Sequence, residues 1–277
     1  MRKPILLLSF SFPLLLACCS MPEPKDEKLV DEPTPARKDA FHQLCQYWEL
    51  SDAERPTYRD LSEHRDEIYN IPGIVFMTDS TFLENPKADM RYGKFTLNGK
   101  EINAQFDDGK KAIYTIQEKQ ENAMTLKRTE KEQSTILYLK ASEVFWPDAN
   151  KNPFNKINSG WRIKPKALES EVELKERLKG CVQFYEYFFK GYVESKSTEI
   201  DYSGLPSCFK WYQGGIFVQN EKKLDKKWMN CFYSPEQALQ ARQIMEDALS
   251  KKYDWDTTER NWIRQLIPVL KQVHDKL

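Results

Sequence analysis

Residue types able to do chemistry are scarce in this chain. It has three histidines, His42, His64 and His274, and six cysteines, with no HExxH and no CxxC spacing. Catalytic zinc usually takes at least two histidines, and His42 with Cys45 supplies only two ligands in all, so a zinc enzyme is not expected. No GxSxG elbow, Walker loop or GxGxxG run occurs, and hydrolase, nucleotide and dinucleotide chemistry lack their usual signatures. Asp107-Asp108-Gly109 lacks the alternating acidic positions and closing glutamate of a calcium loop, and reads as a hairpin turn. Carboxylates such as Glu169, Asp201 or Asp254 would serve a hydrolase if two faced one cleft at the roughly 5–10 Å separation of glycoside hydrolysis. Nothing in their spacing nominates a pair. The sequence names no catalytic residue, metal ligand or cofactor.

Two groupings remain. Ser203 to Gly215 gathers small residues, Cys208, Lys210, Trp211 and Tyr212 within thirteen positions. Trp211 and Tyr212 suit a binding surface or a sugar-stacking platform, and a tightly turned packing loop explains the same composition. Cys208 as a nucleophile would need a base, and no histidine lies within thirty residues of it. Cys208 and Cys231 flank one compact stretch and are the best-placed disulfide pair; the alternative is two buried thiols acting as small apolar side chains.

The first eighteen residues carry the clearest message. Arg2 and Lys3 precede an apolar run from Ile5 to Leu16, and Leu15-Leu16-Ala17-Cys18 closes it. About a dozen apolar residues fall short of the roughly 20 that a helix needs to cross a bilayer, so the segment reads as a cleaved leader. The pattern resembles the lipobox of bacterial lipoproteins. That resemblance implies that the Cys18 thiol receives a diacylglyceryl group and becomes the mature N-terminus, tying the protein to a membrane. Cys19, and not aspartate, follows, so the inner-membrane retention signal of some bacteria is missing and the outer membrane is the expected home. Lys25-Asp26-Glu27 resembles a surface-export signal, and a plain solvated linker reads the same residues. The face of the membrane stays open.

Removal of the leader leaves 260 residues with a net charge of about −2. Such a balance gives no basic excess for nucleic acid. A mean hydropathy of −0.70 and no second long apolar run argue against a membrane-spanning helix in the rest. Residues 18–40, with three prolines from Pro22 to Pro33, read as a disordered tether.

From 41 to 146 the pattern has period two. Strands are expected at 74–78, 93–97, 101–106, 112–116, 123–127 and 135–139, with tight turns at Asn98-Gly99 and Asp108-Gly109. An antiparallel meander of this length must hide its edges, and a small closed barrel does so. Leu44-Cys45-Gln46-Tyr47-Trp48-Glu49-Leu50 then resembles the opening strand of lipocalin-like bacterial lipoproteins. By that resemblance Trp48 closes one end of the barrel. Tyr114, Leu126 and Tyr138 are expected to point inward, as filler or as the lining of a ligand cavity. The charged stretch Glu118 to Glu132 reads as solvated hairpin faces.

Residues 147–153 read as a linker. Beyond it, Leu174, Leu178, Cys181, Tyr185, Phe188 and Tyr192 form a helical stripe over 169–194. A second helix opens at Ser234-Pro235, and a third, capped by Thr257 or Thr258, carries Trp262, Leu266, Leu270 and Val273 around Pro268. Between the first two, 209–218 reads as a hairpin with 228–232 as a third strand. The expected fold is α+β: a small antiparallel lipocalin-like β-barrel at 41–146, then a mostly helical domain with a small sheet at 154–277. The expected function is a lipid-anchored, non-enzymatic outer-membrane protein that binds an apolar or sugar ligand or another envelope protein. A carbohydrate-active or other envelope hydrolase and a structural assembly partner are the alternatives.

Overall fold

The computed structural model describes residues 35–51, 73–87, 89–197, 205–206, 224–249 and 259–277. Eight antiparallel strands close into a barrel in chain order: β1 (Tyr47–Leu50), β2 (Gly73–Phe76), β3 (Thr81–Glu84), β4 (Arg91–Asn98), β5 (Glu101–Phe106), β6 (Lys111–Lys119), β7 (Ala123–Glu130) and β8 (Gln133–Ala141). Strand β8 returns to β1 through Trp48 opposite Ala141 and Leu50 opposite Leu139, so no edge is left open. Both predicted turns are present, with Gly99 at φ 58° and Gly109 at φ 83°, a backbone region that glycine enters without a Cβ clash. β3 was not foreseen. It is four residues long, too short to show a period.

Helix α1 (Pro35–Leu44) precedes the barrel and reaches back into the stretch expected to be tether. Proline is at home in a first helical turn, and the far end of α1 is fixed by packing: Leu44 is buried, and Phe41 stacks on Phe95 with ring centroids 5.6 Å apart. Trp48 is fully buried and donates its indole N–H to the Leu44 carbonyl at 2.9 Å. That bond locks the end of α1 to the first strand.

The barrel interior is full. Phe41, Phe95, Phe76, Phe82 and Phe106 form a continuous series of rings with successive centroids 5.6, 5.0, 6.2 and 5.2 Å apart. Trp48, Ile74, Ile102, Tyr114, Met124, Leu126, Leu137 and Leu139 pack around them. Tyr114 and Leu126 point inward as expected, as filler. Tyr138 does not: it lies on the outer face, 45% exposed, while Leu137 and Leu139 turn inward. Both parities of Ile136-Leu137-Tyr138-Leu139 are apolar, so alternation alone leaves the register open by one residue, and a one-residue shift exchanges the faces.

β1 to β4 are covered on their outer side as well. Tyr47, Val75, Met77, Leu83 and Tyr92 face outward from the barrel into a second core shared with the helical part. The stretch read as a linker supplies that cover. Asp148 caps a 3-10 turn (Ala149–Lys151), accepting from Asn150 N at 3.0 Å. Phe154, fully buried, then lies 5.4 Å from Tyr47 on one side and about 6 Å from Phe184 and Phe188 on the other. Helix α2 (Lys156–Ser159) and a 3-10 turn (Gly160–Arg162) follow. The Tyr92 hydroxyl pairs with Ser159 Oγ, and Arg162 donates to the Pro86 carbonyl, so two buried polar links join barrel to helices.

The long helix α3 (Glu171–Glu194) has a complete capping box, with Ser170 Oγ accepting from Glu173 N and the Glu173 carboxylate accepting from Ser170 N at 2.8 Å. Every member of its predicted stripe is buried. Of residues 228–232, expected as a strand, 228–230 belong to helix α4 (Lys226–Asn230) and 231–232 to the turn that follows it. Asp225 caps that turn, and helical spacing lets Trp228 and Phe232 meet at 4.6 Å while the Trp228 indole donates to Ala238 O. Helices α5 (Pro235–Leu249) and α6 (Glu259–Lys276) complete the layer, with Ala238, Ala241 and Met245 buried on α5 and Trp262, Leu266, Leu270 and Val273 on α6. The predicted hairpin at 209–218 and the Thr257/Thr258 cap lie outside the described residues.

Gly191 on α3 is where Trp146 enters. The indole donates to the Tyr187 carbonyl at 3.2 Å, and a Cβ at Gly191 would sit 2.7 Å from Trp146 Cε2. Gly191→Ala is expected to lower unfolding stability by about 1–3 kcal/mol through overpacking, despite alanine's better helix propensity. Urea denaturation checks this, and a midpoint at or above that of the parent would remove Trp146 as the contact that fixes α3.

Candidate functional site

A cluster of charged groups lies at the end of the barrel opposite α1, with Glu84 buried and its partners partly buried. The ends of β3 and β7 and the start of β4 meet there, and they carry Glu84, Glu130 and Arg91; Arg128 and Tyr114 reach the same point from β7 and β6. Period-two counting puts Arg128 on the inward side of β7 with Met124 and Leu126, and Glu84 on the inward side of β3 with Phe82.

Glu84 is 5% exposed and fully engaged. Its Oε1 accepts from the Tyr114 hydroxyl at 2.7 Å and from Arg128 Nε at 2.6 Å, and its Oε2 accepts from Arg91 Nη1 at 3.1 Å and Arg128 Nη2 at 3.3 Å. Glu130 bridges the same two guanidinium groups, with Arg91 at 3.1 and 3.2 Å and Arg128 closer still. Arg91 lies flat on the last ring of the interior series, its guanidinium carbon 3.6 Å from the Phe106 centroid. The cluster is therefore a neutral quartet of two arginines and two glutamates, laid on an aromatic floor with one phenol beneath.

Electrostatics set the protonation states. Burial, and then the Glu84 charge, push the Tyr114 phenol well above its ordinary range, so it stays a donor. Burial alone would weaken the Arg128 cation, but the hydrogen bond and charge of Glu84 outweigh it and raise that group further. Hydrogen bonding from Arg91, with Arg128 adding to it, holds the Glu130 carboxyl below the usual carboxylate range. That direction is the wrong one for a general acid, whose carboxyl must be held protonated near neutral pH. The quartet seals and stiffens the mouth of the barrel.

The other sequence candidates separate. Glu169 is bound by Arg177 Nε at 2.7 and 2.8 Å, and Asp201 and Asp254 lie outside the described residues, as do Cys18, Trp211, Tyr212 and Cys208. Cys231 is buried, its thiol 3.2 Å from the Lys227 carbonyl that accepts from it. The pairing of Cys208 with Cys231 therefore falls outside the described residues too. The Cys45 thiol, buried and near Asp79, is pushed up to about 12, which leaves it protonated and unreactive at neutral pH. It lines a cleft with Met77, Phe145 and Trp146 whose free volume is about 30 Å³, room for one water. No group of three His, Cys, Asp or Glu side chains suited to a metal occurs among the described residues.

Arg128 and Glu130 correct the reading of 118–132 as solvated hairpin faces: their side chains are each only 19% exposed. Charge composition suggested solvent, but strand parity and closure of the barrel bring both residues to its mouth.

No family model, curated protein or solved structure matches this chain. The fold itself is an α+β architecture, a closed eight-stranded antiparallel barrel with a helical layer on its outer wall.

The quartet makes two predictions. Arg128→Met leaves the buried Glu84 with Arg91 and Tyr114 alone and is expected to cost roughly 2–4 kcal/mol, while adding Glu84→Gln should recover part of that loss, because the charge left behind is what destabilises. Unfolding free energies of the singles and the double check it, and strict additivity would contradict the coupling. Because Glu130 has a depressed folded-state pKa, its contribution is present above its unfolded value near 4.5 and is lost as pH falls through the folded value. The urea midpoint should therefore fall below about pH 4.5, and Glu130→Gln should fall less steeply over that window.

Proposed function

We propose that this protein is a lipid-anchored lipoprotein of the outer membrane whose folded body is a non-enzymatic scaffold that binds another envelope protein. The filled interior carries this reading. A carrier of apolar ligands needs a hollow lumen, and here the side chains that would line one, Tyr114 and Leu126, have no exposure at all. A lipocalin-like barrel, plugged at one end by Trp48 and α1 and at the other by the charged quartet, serves as a wall on which helices are laid. The leader and Cys18 support the anchor. No helix among the described residues is long and apolar enough to cross a membrane, so attachment is assigned to the lipid.

Hydrolysis has less support. Glu84 and Glu130 are paired with two arginines and Glu169 with one, and the Glu130 carboxyl is held below the usual carboxylate range by its arginine partners. Nucleic acid is not an expected partner of a chain with equal numbers of acidic and basic residues.

In cells, Cys18→Ser is expected to abolish incorporation of labelled palmitate and to move the protein out of the outer-membrane fraction; unchanged labelling and fractionation would remove the anchor. For the body, a fluorescent fatty acid titrated into the purified protein should show no saturable signal, and in-cell crosslinking should give a discrete heteromeric adduct. Saturable one-to-one binding of the fatty acid would overturn the scaffold reading in favour of a carrier.

A further inference from the structure

We propose that the outward face of residues 156–168 is a docking surface for an anionic phospholipid bilayer. Between Ala149 and Leu168 the chain has no Asp or Glu but has Lys151, Lys156, Arg162, Lys164 and Lys166, in a protein whose acidic and basic residues are equal in number overall. Burial divides this stretch cleanly. Asn158, Ser159, Trp161 and Arg162 face the core, while Lys156, Ile157, Ile163 and Lys164 face outward with Gly160 between them, and Lys166 and Leu168 follow in an exposed turn. Ile157 is 87% exposed and Leu168 66%. Exposed aliphatic residues among lysines are the composition of an interfacial segment, in which apolar side chains enter the headgroup boundary and cations meet anionic lipid.

Charge complementarity selects the occupant. Lys151 faces Asp148 at 3.6 Å and Lys156 faces Asp107 at 2.5 Å, both as exposed pairs, whereas Lys164 and Lys166 have no carboxylate partner among the described residues. Glu169, next along the chain, is turned to Arg177. The patch is net positive at its apolar centre. An acidic protein surface would satisfy the lysines, but it gives no reason for Ile157 to stand almost wholly in solvent. A bilayer satisfies both. The inference takes membrane proximity from the anchored reading above, and geometry allows the contact: the seventeen residues from 18 to 34 extend to at most roughly 60 Å, enough to pass the barrel from α1 to the Asp107 end.

The test uses the mature chain from residue 18 carrying Cys18→Ser, so that neither the apolar leader nor an acyl chain contributes, in co-sedimentation with vesicles of phosphatidylcholine alone or with about one third phosphatidylglycerol. Partition onto the anionic vesicles is expected to exceed that onto neutral ones and to weaken with salt. Lys164→Glu with Lys166→Glu should lower it at least tenfold, since each surface lysine contributes about fivefold and reversal doubles the loss. Ile157→Ser should lower it on anionic vesicles without changing the salt slope. Circular dichroism and the urea midpoint confirm that each variant is folded. Equal partition of parent and double variant, or equal affinity for both vesicles, overturns the proposal, as does a parent protein that binds neither vesicle but binds a soluble acidic protein through Lys164 and Lys166. Palmitate labelling of the Cys18 protein decides the anchor independently, so the two readings fail separately.

Discussion

Strands β1 to β4 bury side chains on both faces, and the rest of the architecture follows from that constraint. Inward, Trp48, Ile74, Phe76 and Phe82 fill the barrel; outward, Tyr47, Val75, Met77, Leu83 and Tyr92 would leave a large apolar wall in water. Only half of the circumference has this character. β5 to β8 alternate buried and exposed positions in the ordinary way. The barrel thus requires a cover on one side, and the segment from Val144 to Arg162 supplies it before α3 begins. Phe154 is the hinge of the arrangement, with a barrel tyrosine on one flank and two phenylalanines of α3 on the other.

The partly buried quartet at the mouth answers a different constraint. An aromatic interior that reaches the end of a barrel exposes its last ring, here Phe106. Arg91 covers that ring, and a guanidinium so placed must be matched by carboxylate. Glu84 and Glu130 match two arginines with two negative charges, and Tyr114 takes up remaining acceptor capacity on Glu84. Buried ion pairs add little net stability over apolar packing, but they are costly to break and hold one geometry. A sealed mouth and a full lumen make the barrel stiff. Stiffness suits a body that presents surfaces, and it is the common ground between the scaffold reading and the proposed lipid contact at 156–168.

Much of this was legible in the chain. Six of the eight strands and the α3 stripe follow from periodicity of two and of 3.6, because side-chain direction repeats with the local backbone, and both turns follow from their glycine dipeptides. β1 was visible only through the Trp48 resemblance, and β2, read at 74–78 among the period-two strands, is in fact buried on both faces. What misled was local ambiguity. Trp228-Met229-Asn230-Cys231-Phe232 is aromatic and short enough to pass for a strand, yet Asp225 caps a helical turn that sets Trp228 against Phe232. Tyr138 sits in a run apolar at both parities. Residues 147–153 hold two prolines and no period, and so read as a connector; in fact Asn152 Oδ1 accepts from Phe154 N–H, and Asn158 Nδ2 donates to the Asn150 and Asn152 carbonyls, which carries Phe154 into the core.

By itself the sequence determined the period of most elements and the balance of charge, and it supplied the leader pattern on which the proposed anchor at Cys18 rests, because each of these lives in composition or in neighbours along the chain. Only the tertiary structure decided that the lumen is full, that Glu84, Arg91, Arg128 and Glu130 converge, and that the helical layer shares a core with the barrel wall. Those facts depend on closure: residues 39 or 44 positions apart, as Arg91 and Glu130 or Glu84 and Arg128 are, become partners only when β8 meets β1 and the ring of strands is complete. Pairing of that range leaves no period in a sequence, since its cause is the geometry of the whole barrel and not the conformation of any one strand.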